Sequence, residues 1–205
     1  MSRLSRVLLA LASVLLFLAL PMPLWRVQLI APQYPEGLGM DIHARTVEGM
    51  KEHDLDNINE LNHYIGMKTI RPESIPELHV IPWVIVGLGV VGLAFAALGK
   101  RALAIAWVVA FAALGAVGMW DFWRWEYDYG HNLDLAHAII KVPGMTYQPP
   151  LIGSKQLLNF TAISMPDAGT FVLGAAFVLG VAAVVVGWRR GARVVRAPHA
   201  STLPG

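Results

Sequence analysis

Apolar residues in this chain fall into long runs separated by two polar stretches. Four runs are long enough to cross a bilayer: Val7–Leu20 with its exit Pro21–Trp25, then Val80–Leu98, Ala102–Trp120 and Ala168–Trp188. The last three carry no charge, and each is about twenty residues, which matches a hydrocarbon core of roughly 30 Å. The pattern predicts an all-α membrane protein, a four-transmembrane-helix bundle with two ordered extracytoplasmic loops forming a cap. Its expected parts are helix 1 at 1–24, loop 1 at 25–79 and a helical hairpin at 80–120. Loop 2 at 121–167, a fourth helix at 168–188 and a basic tail at 189–205 follow. The first run lies behind Arg3 and Arg6 but offers no small-x-small cleavage site, so it reads as an uncleaved signal anchor.

Within loop 1, Leu55, Ile58, Leu61 and Ile65 recur at helical spacing and predict a short helix over 54–65. Asp54 and Asp56 suit its first turn, and Gly66 suits its end. Asn57, Asn59 and Asn62 are poor helix formers inside it, which points to hydrogen bonding. Val27 and Leu29 alternate loosely and suggest a short strand or an extended lead-in. Ser74 with Glu77 reads as a capping box before the second run. In loop 2, Ser154 is expected to cap a short amphipathic helix carrying Leu157 and Leu158, and Asp167 to cap the last run. Glycine and alanine in the apolar runs predict close helix packing.

Composition sharpens this picture. Of 205 residues, 56% are hydrophobic, and mean hydropathy is +0.53, as in a small integral membrane protein. There is no cysteine, so disulfides, thiolate ligands and thiol catalysis are excluded. Every Asp and Glu lies in the two polar stretches, whereas the N-terminus, Lys100-Arg101 and the tail arginines are purely basic. The positive-inside rule then puts both termini in the cytoplasm and both loops outside.

The loops hold six of the seven histidines and most methionines. Met40/His43 and Met50/His53 repeat a three-residue spacing, and His63/Met67 are four apart at a helix end. Imidazole and thioether without thiolate suit copper, Cu(I) above all, so these six residues are the candidate ligands. Histidine avoids membrane spans and loop methionine is often packing, which accounts for the same inventory without a metal. Trp123, Trp125, Tyr127 and Tyr129 alternate with charges in WDFWRWEYDYG. They read either as an aromatic belt running into an extended segment or as a docking platform. No span carries an ionisable residue, and no hydrolase, phosphate-loop or nucleic-acid motif is present, so neither an enzyme nor a nucleic-acid partner is expected.

The strings APQYPEGLGM (31–40), INELNHYIGM (58–67), DFWRWEYDYGH (121–131) and PPLIGSKQLLNF (149–160) carry a resemblance over nearly the whole chain. It resembles a family of small four-span bacterial membrane proteins of unestablished activity, associated with gene clusters for nitrous oxide reductase and its maturation. The resemblance implies the bacterial inner membrane and a role beside a periplasmic copper enzyme, and it carries over no site residue. Two readings follow. One is an accessory protein that binds copper or docks a copper protein on its cap. The other is a structural or quinol-contacting subunit of a membrane redox complex, with no metal of its own.

Overall fold

The two polar stretches pair with each other across the length of the chain. This computed structural model describes the backbone of residues 1–195 and the side chains of residues 1–188. In chain order the elements are α1 (Arg3–Ala19), β1 (Trp25–Ala31), β2 (Tyr34–Ile42), β3 (Val47–Gly49) and α2 (Asp54–Ile65). After a 3-10 turn at Pro72–Ser74 come α3 (Glu77–Leu98), α4 (Arg101–His131), β4 (Gly153–Leu157), β5 (Phe160–Pro166) and α5 (Ala168–Val195). The charges of the basic tail, 189–205, lie outside the described side chains.

The all-α expectation is therefore corrected: the described residues are mixed α/β, with five helices and a five-stranded antiparallel sheet in the order β3-β2-β1-β5-β4. Strand β1 is central, with Val27 opposite Met40 on one side and Ser164 on the other. Side chains alternate across a strand. Trp25, Val27 and Ala31 are thus buried on the inner face, while Arg26 and Gln28 lie on the outer one. Arg26 ties the corner together through Asp41 at 2.7 Å and Asp167 at 2.9 Å. Its hydrogen bond to Asp41 raises the guanidinium pKa further.

Among the described residues, three helices are long and apolar enough to cross a membrane: α3, α4 and the Ala168–Trp188 part of α5. The four-span count is corrected with the fold. Helix α1 has 17 residues, about 26 Å by helical rise, short of the roughly 30 Å core. It packs between α3 and α5 through Ser5, Leu9, Ala12, Leu16 and Ala19, all fully buried. Small residues do let these helices approach. Gly92 on α3 and Gly180 on α5 form a notch that holds the Trp107 ring of α4. The Met1 ammonium donates to the Gly99 carbonyl at 2.7 Å, and the Arg101 guanidinium lies 5.1 Å over the Trp188 ring. One end of the helices thus gathers the N-terminus and the α3–α4 link, and the sheet covers the other.

Other local expectations change too. Residues 153–158 form β4 and its turn, not an amphipathic helix, with Leu157 opposite Phe160 and Leu158 at φ +54°. Residues 121–131 continue α4 instead of running extended. His53 stands at the N-cap position of α2 without a side-chain cap hydrogen bond, and the Asp54 carboxylate accepts from the Gly39 N–H at 2.9 Å. The Ser74–Glu77 capping box does not form, because Ser74 donates to the Arg71 carbonyl and Pro76 starts α3. Gly66 ends α2 in the left-handed region, as read, at φ +78°. Asn59 exchanges two hydrogen bonds with the Ile70 backbone, and Asn62 donates to the Lys68 carbonyl, so these asparagines pin the following linker.

Candidate functional site

The inner face of the sheet stands off the ends of the long helices, and α2 closes one flank with Ile58, Leu61 and Ile65. Between them lies a chamber of about 1160 Å³. That exceeds the roughly 300–1,000 Å³ of ordinary small-molecule sites. Its wall is mostly apolar and runs from Leu16 and Phe111 among the helices to Trp25 and Val27 on the sheet. Helix α4 spans 31 residues, about 46 Å by rise, so it outlasts the bilayer core. The apolar run stops at Trp120, and residues 121–131 stand beyond it against the sheet, where Phe122 meets Trp25 at 5.2 Å.

At this end of the chamber four side chains hold buried polar atoms without a hydrogen-bond partner: the Trp125 indole N–H, both Glu126 carboxyl oxygens, the Tyr147 hydroxyl and Oε2 of Glu77, whose Oε1 accepts from Arg124 at 2.9 Å. All four residues line the wall. Glu126 is 7% exposed and Tyr147 2%. Ser164 lies beside Glu126, yet it accepts from the Trp25 indole at 2.8 Å and its single proton goes to the Leu151 carbonyl. Only by turning its proton away from Leu151 does Ser164 donate to Glu126. Burial pushes its carboxyl up to about 8, and Ser164 offsets this only in part. Burial also raises the Tyr147 hydroxyl. Near neutral pH the wall at this end encloses a protonated acid, a phenol O–H and an indole N–H, all closed from the chamber. A guest reaches them only once these side chains turn toward it.

The six predicted copper ligands do not share one place. Met40, His43 and Met67 line the chamber. Met50 lies across the sheet from Met40, with its sulfur 3.5 Å from the Gln28 amide on the outer face. His53 and His63 are exposed at opposite ends of α2, ten residues or about 15 Å apart. Among the described residues, no three His, Cys, Asp or Glu side chains gather closely enough to hold a metal ion. A scan against family models and a search of curated proteins found no match to this chain.

The four aromatic residues divide because the segment is helical. Side chains four apart share a face. Trp123, Tyr127 and His131 share one face, Trp123 tilted against Tyr127 and Tyr127 stacked on His131 with centroids 4.0 Å apart. Trp125 and Tyr129 pack at 5.3 Å with their rings tilted by 40°, and both line the chamber. Sequence reasoning missed Glu126 and Tyr147. The available signal was Phe122, Glu126 and Gly130 at four-residue spacing, with Gly130 admitting the Gln148 backbone.

Proposed function

We propose that this chain is a non-enzymatic membrane accessory protein that holds an amphiphilic ligand, tail among the helices and head under the sheet. The observation that carries this is a mostly apolar chamber of about 1160 Å³ with unpaired polar groups buried behind its wall at one end. A buried polar group without a partner costs about 1–3 kcal/mol, so a guest that pairs with three of them is favoured. The reading sides with a quinol-contacting or lipid-holding component of a membrane redox system. The resemblance to proteins encoded near nitrous oxide reductase suggests that a periplasmic copper enzyme belongs to that system. The basic N-terminus and link favour a cytoplasmic end opposite the sheet, in a bacterial inner membrane.

The test is the lipid that stays with the purified full-length chain, identified and counted by mass spectrometry after detergent exchange. About one amphiphile per wild-type chain is expected, and most of it is lost from the Glu126→Leu/Tyr147→Phe double variant. Equal retention by a folded double variant rules the reading out.

A second reading keeps copper, because Met40, His43 and Met67 line one chamber and suit Cu(I). It predicts stoichiometric Cu(I) binding against a competing chelator, lost in Met40→Leu/His43→Gln. Binding no better than background ends it.

A further inference from the structure

The turn between β2 and β3 reaches the start of α3. It is closed by the His43 N–H, which donates to the Thr46 carbonyl at 2.8 Å. Ala44 is 1% exposed and belongs to the same packed core as Leu16 and Ile85. That anchor fixes the turn and leaves the next residue, Arg45, exposed. Arg45 lines a pocket of about 290 Å³ together with Leu78, His79, Pro82 and Trp83 of α3. His79 and Trp83 are four apart and share a helix face. Neither lines the chamber, whose α3 wall includes Ile81, Ile85 and Leu88.

The two polar stretches hold every acid of the chain, and most of their cations are engaged. Arg26, Lys51, Lys68 and Arg124 pair with carboxylates, while Lys141 and Lys155 donate to backbone carbonyls. Among the described residues, neither Arg45 nor His79 has a side-chain hydrogen bond or an ion pair, and no carboxylate lines their pocket.

Depth in the membrane says which anion can reach them. The apolar run of α3 starts at Val80, one residue after His79, and Val80 and Trp83 are 57% and 71% exposed. Head groups add roughly 5–8 Å to each face of the hydrocarbon core. Arg45 and His79 therefore stand at head-group level, and Trp83 stands at the boundary that tryptophan favours. The anion abundant at that depth is the phosphate of a lipid head.

We propose that this pocket binds the phosphodiester head of a bilayer phospholipid. The Arg45 guanidinium donates to two phosphate oxygens as a fork, the geometry that suits arginine to phosphate. The N–H of the His79 ring donates a further hydrogen bond. An acyl chain follows α3 past Trp83. A lipid held this way ties the β2–β3 turn, and with it the sheet, to the membrane surface. The inference does not depend on what the chamber holds.

The experiment uses the full chain in neutral detergent, with native mass spectrometry counting bound dioleoylphosphatidylglycerol. Dioleoylglycerol, with the same tails and no phosphate, and inorganic phosphate are the comparison probes. The basic end of the helices also attracts anionic lipid, so the readout is the change that each variant makes. Wild type is expected to hold one phosphatidylglycerol that Arg45→Gln/His79→Gln binds about tenfold more weakly, as loss of hydrogen bonds to a charged group predicts. Arg45→Lys should keep part of the binding, since it retains the charge without the fork. Arg71→Gln removes another exposed cation that lies off the pocket and should change nothing. Equal lipid binding by wild type and the folded double variant overturns the proposal, and so does an equal loss from Arg71→Gln, which would mean diffuse charge. Dioleoylglycerol bound as tightly as phosphatidylglycerol overturns the recognition of phosphate. Displacement of the lipid by millimolar inorganic phosphate overturns the lipid assignment in favour of a soluble anion.

Discussion

Replacing Trp107 by alanine is expected to destabilise the folded chain by about 3–5 kcal/mol, the range for deleting a large buried aromatic ring. The side chain is 1% exposed and seated where three helices meet. Gly92 and Gly180 make room for its ring, Phe111 packs on it edge-to-face at 5.4 Å, and its N–H donates to the Leu88 carbonyl at 2.8 Å. Lipid tails are as apolar as the ring, so the loss comes from packing contacts and the hydrogen bond, not from exposure to water. Trp107→Phe keeps part of the packing and should lie between the two. Thermal unfolding in detergent, followed by circular dichroism, checks this. Equal transition temperatures for wild type and Trp107→Ala would mean that the α3–α4–α5 junction does not close on this ring.

Glu126→Gln is expected to stabilise the fold increasingly as pH rises from about 4.5 to 8. In the folded chain the carboxyl keeps its proton up to about 8, against an ordinary value of 4.5. Between those limits the folded state binds more protons than the unfolded one, so wild-type stability falls with rising pH. Above pH 8 both states are ionised and the loss is complete. Each unit of difference is worth about 1.4 kcal/mol, so the full effect is a few kcal/mol. Glutamine cannot ionise and removes this slope. The transition temperatures of the two proteins should therefore converge near pH 4.5 and diverge toward pH 8. Parallel pH profiles would mean that Glu126 finds a partner or water in the folded state.

The long helices were legible because an uncharged run of about twenty residues has few other ways to fold. Helix α2 was legible through Leu55, Ile58, Leu61 and Ile65, with Gly66 as its stop. The sheet was not, because its central pairing joins Trp25–Ala31 to Phe160–Pro166, more than a hundred residues on. Nothing local in WRVQLIA announces so distant a partner, and its loose alternation reads equally well as a lead-in. The adjacent pair Leu157-Leu158 imitated an amphipathic helix but forms a strand end and a turn. The alternation in Trp123–Tyr129 imitated a strand, yet the helix begun in the membrane carries through it and splits the aromatic residues between two faces.

The site was partly hidden for the same reason. Glu126 is one of three acids in DFWRWEYD, and it is buried with Ser164, more than thirty residues on, beside it. Tyr147 is buried by a proline-rich turn whose N–H at position 147 donates to the Gly130 carbonyl at 2.9 Å. The methionine and histidine spacings were conspicuous in the sequence. However, strand alternation puts Met40 and Met50 on opposite faces, and the length of α2 separates His53 from His63.

The most direct test of the central claim is the density inside the chamber in an experimental structure of the full chain in lipid nanodiscs. Elongated density is expected between Phe111 and Glu126, with its bulkier end within hydrogen-bond distance of Glu126 and Tyr147. Helices closed against the sheet, or a chamber filled with water reaching Glu126, would contradict the account.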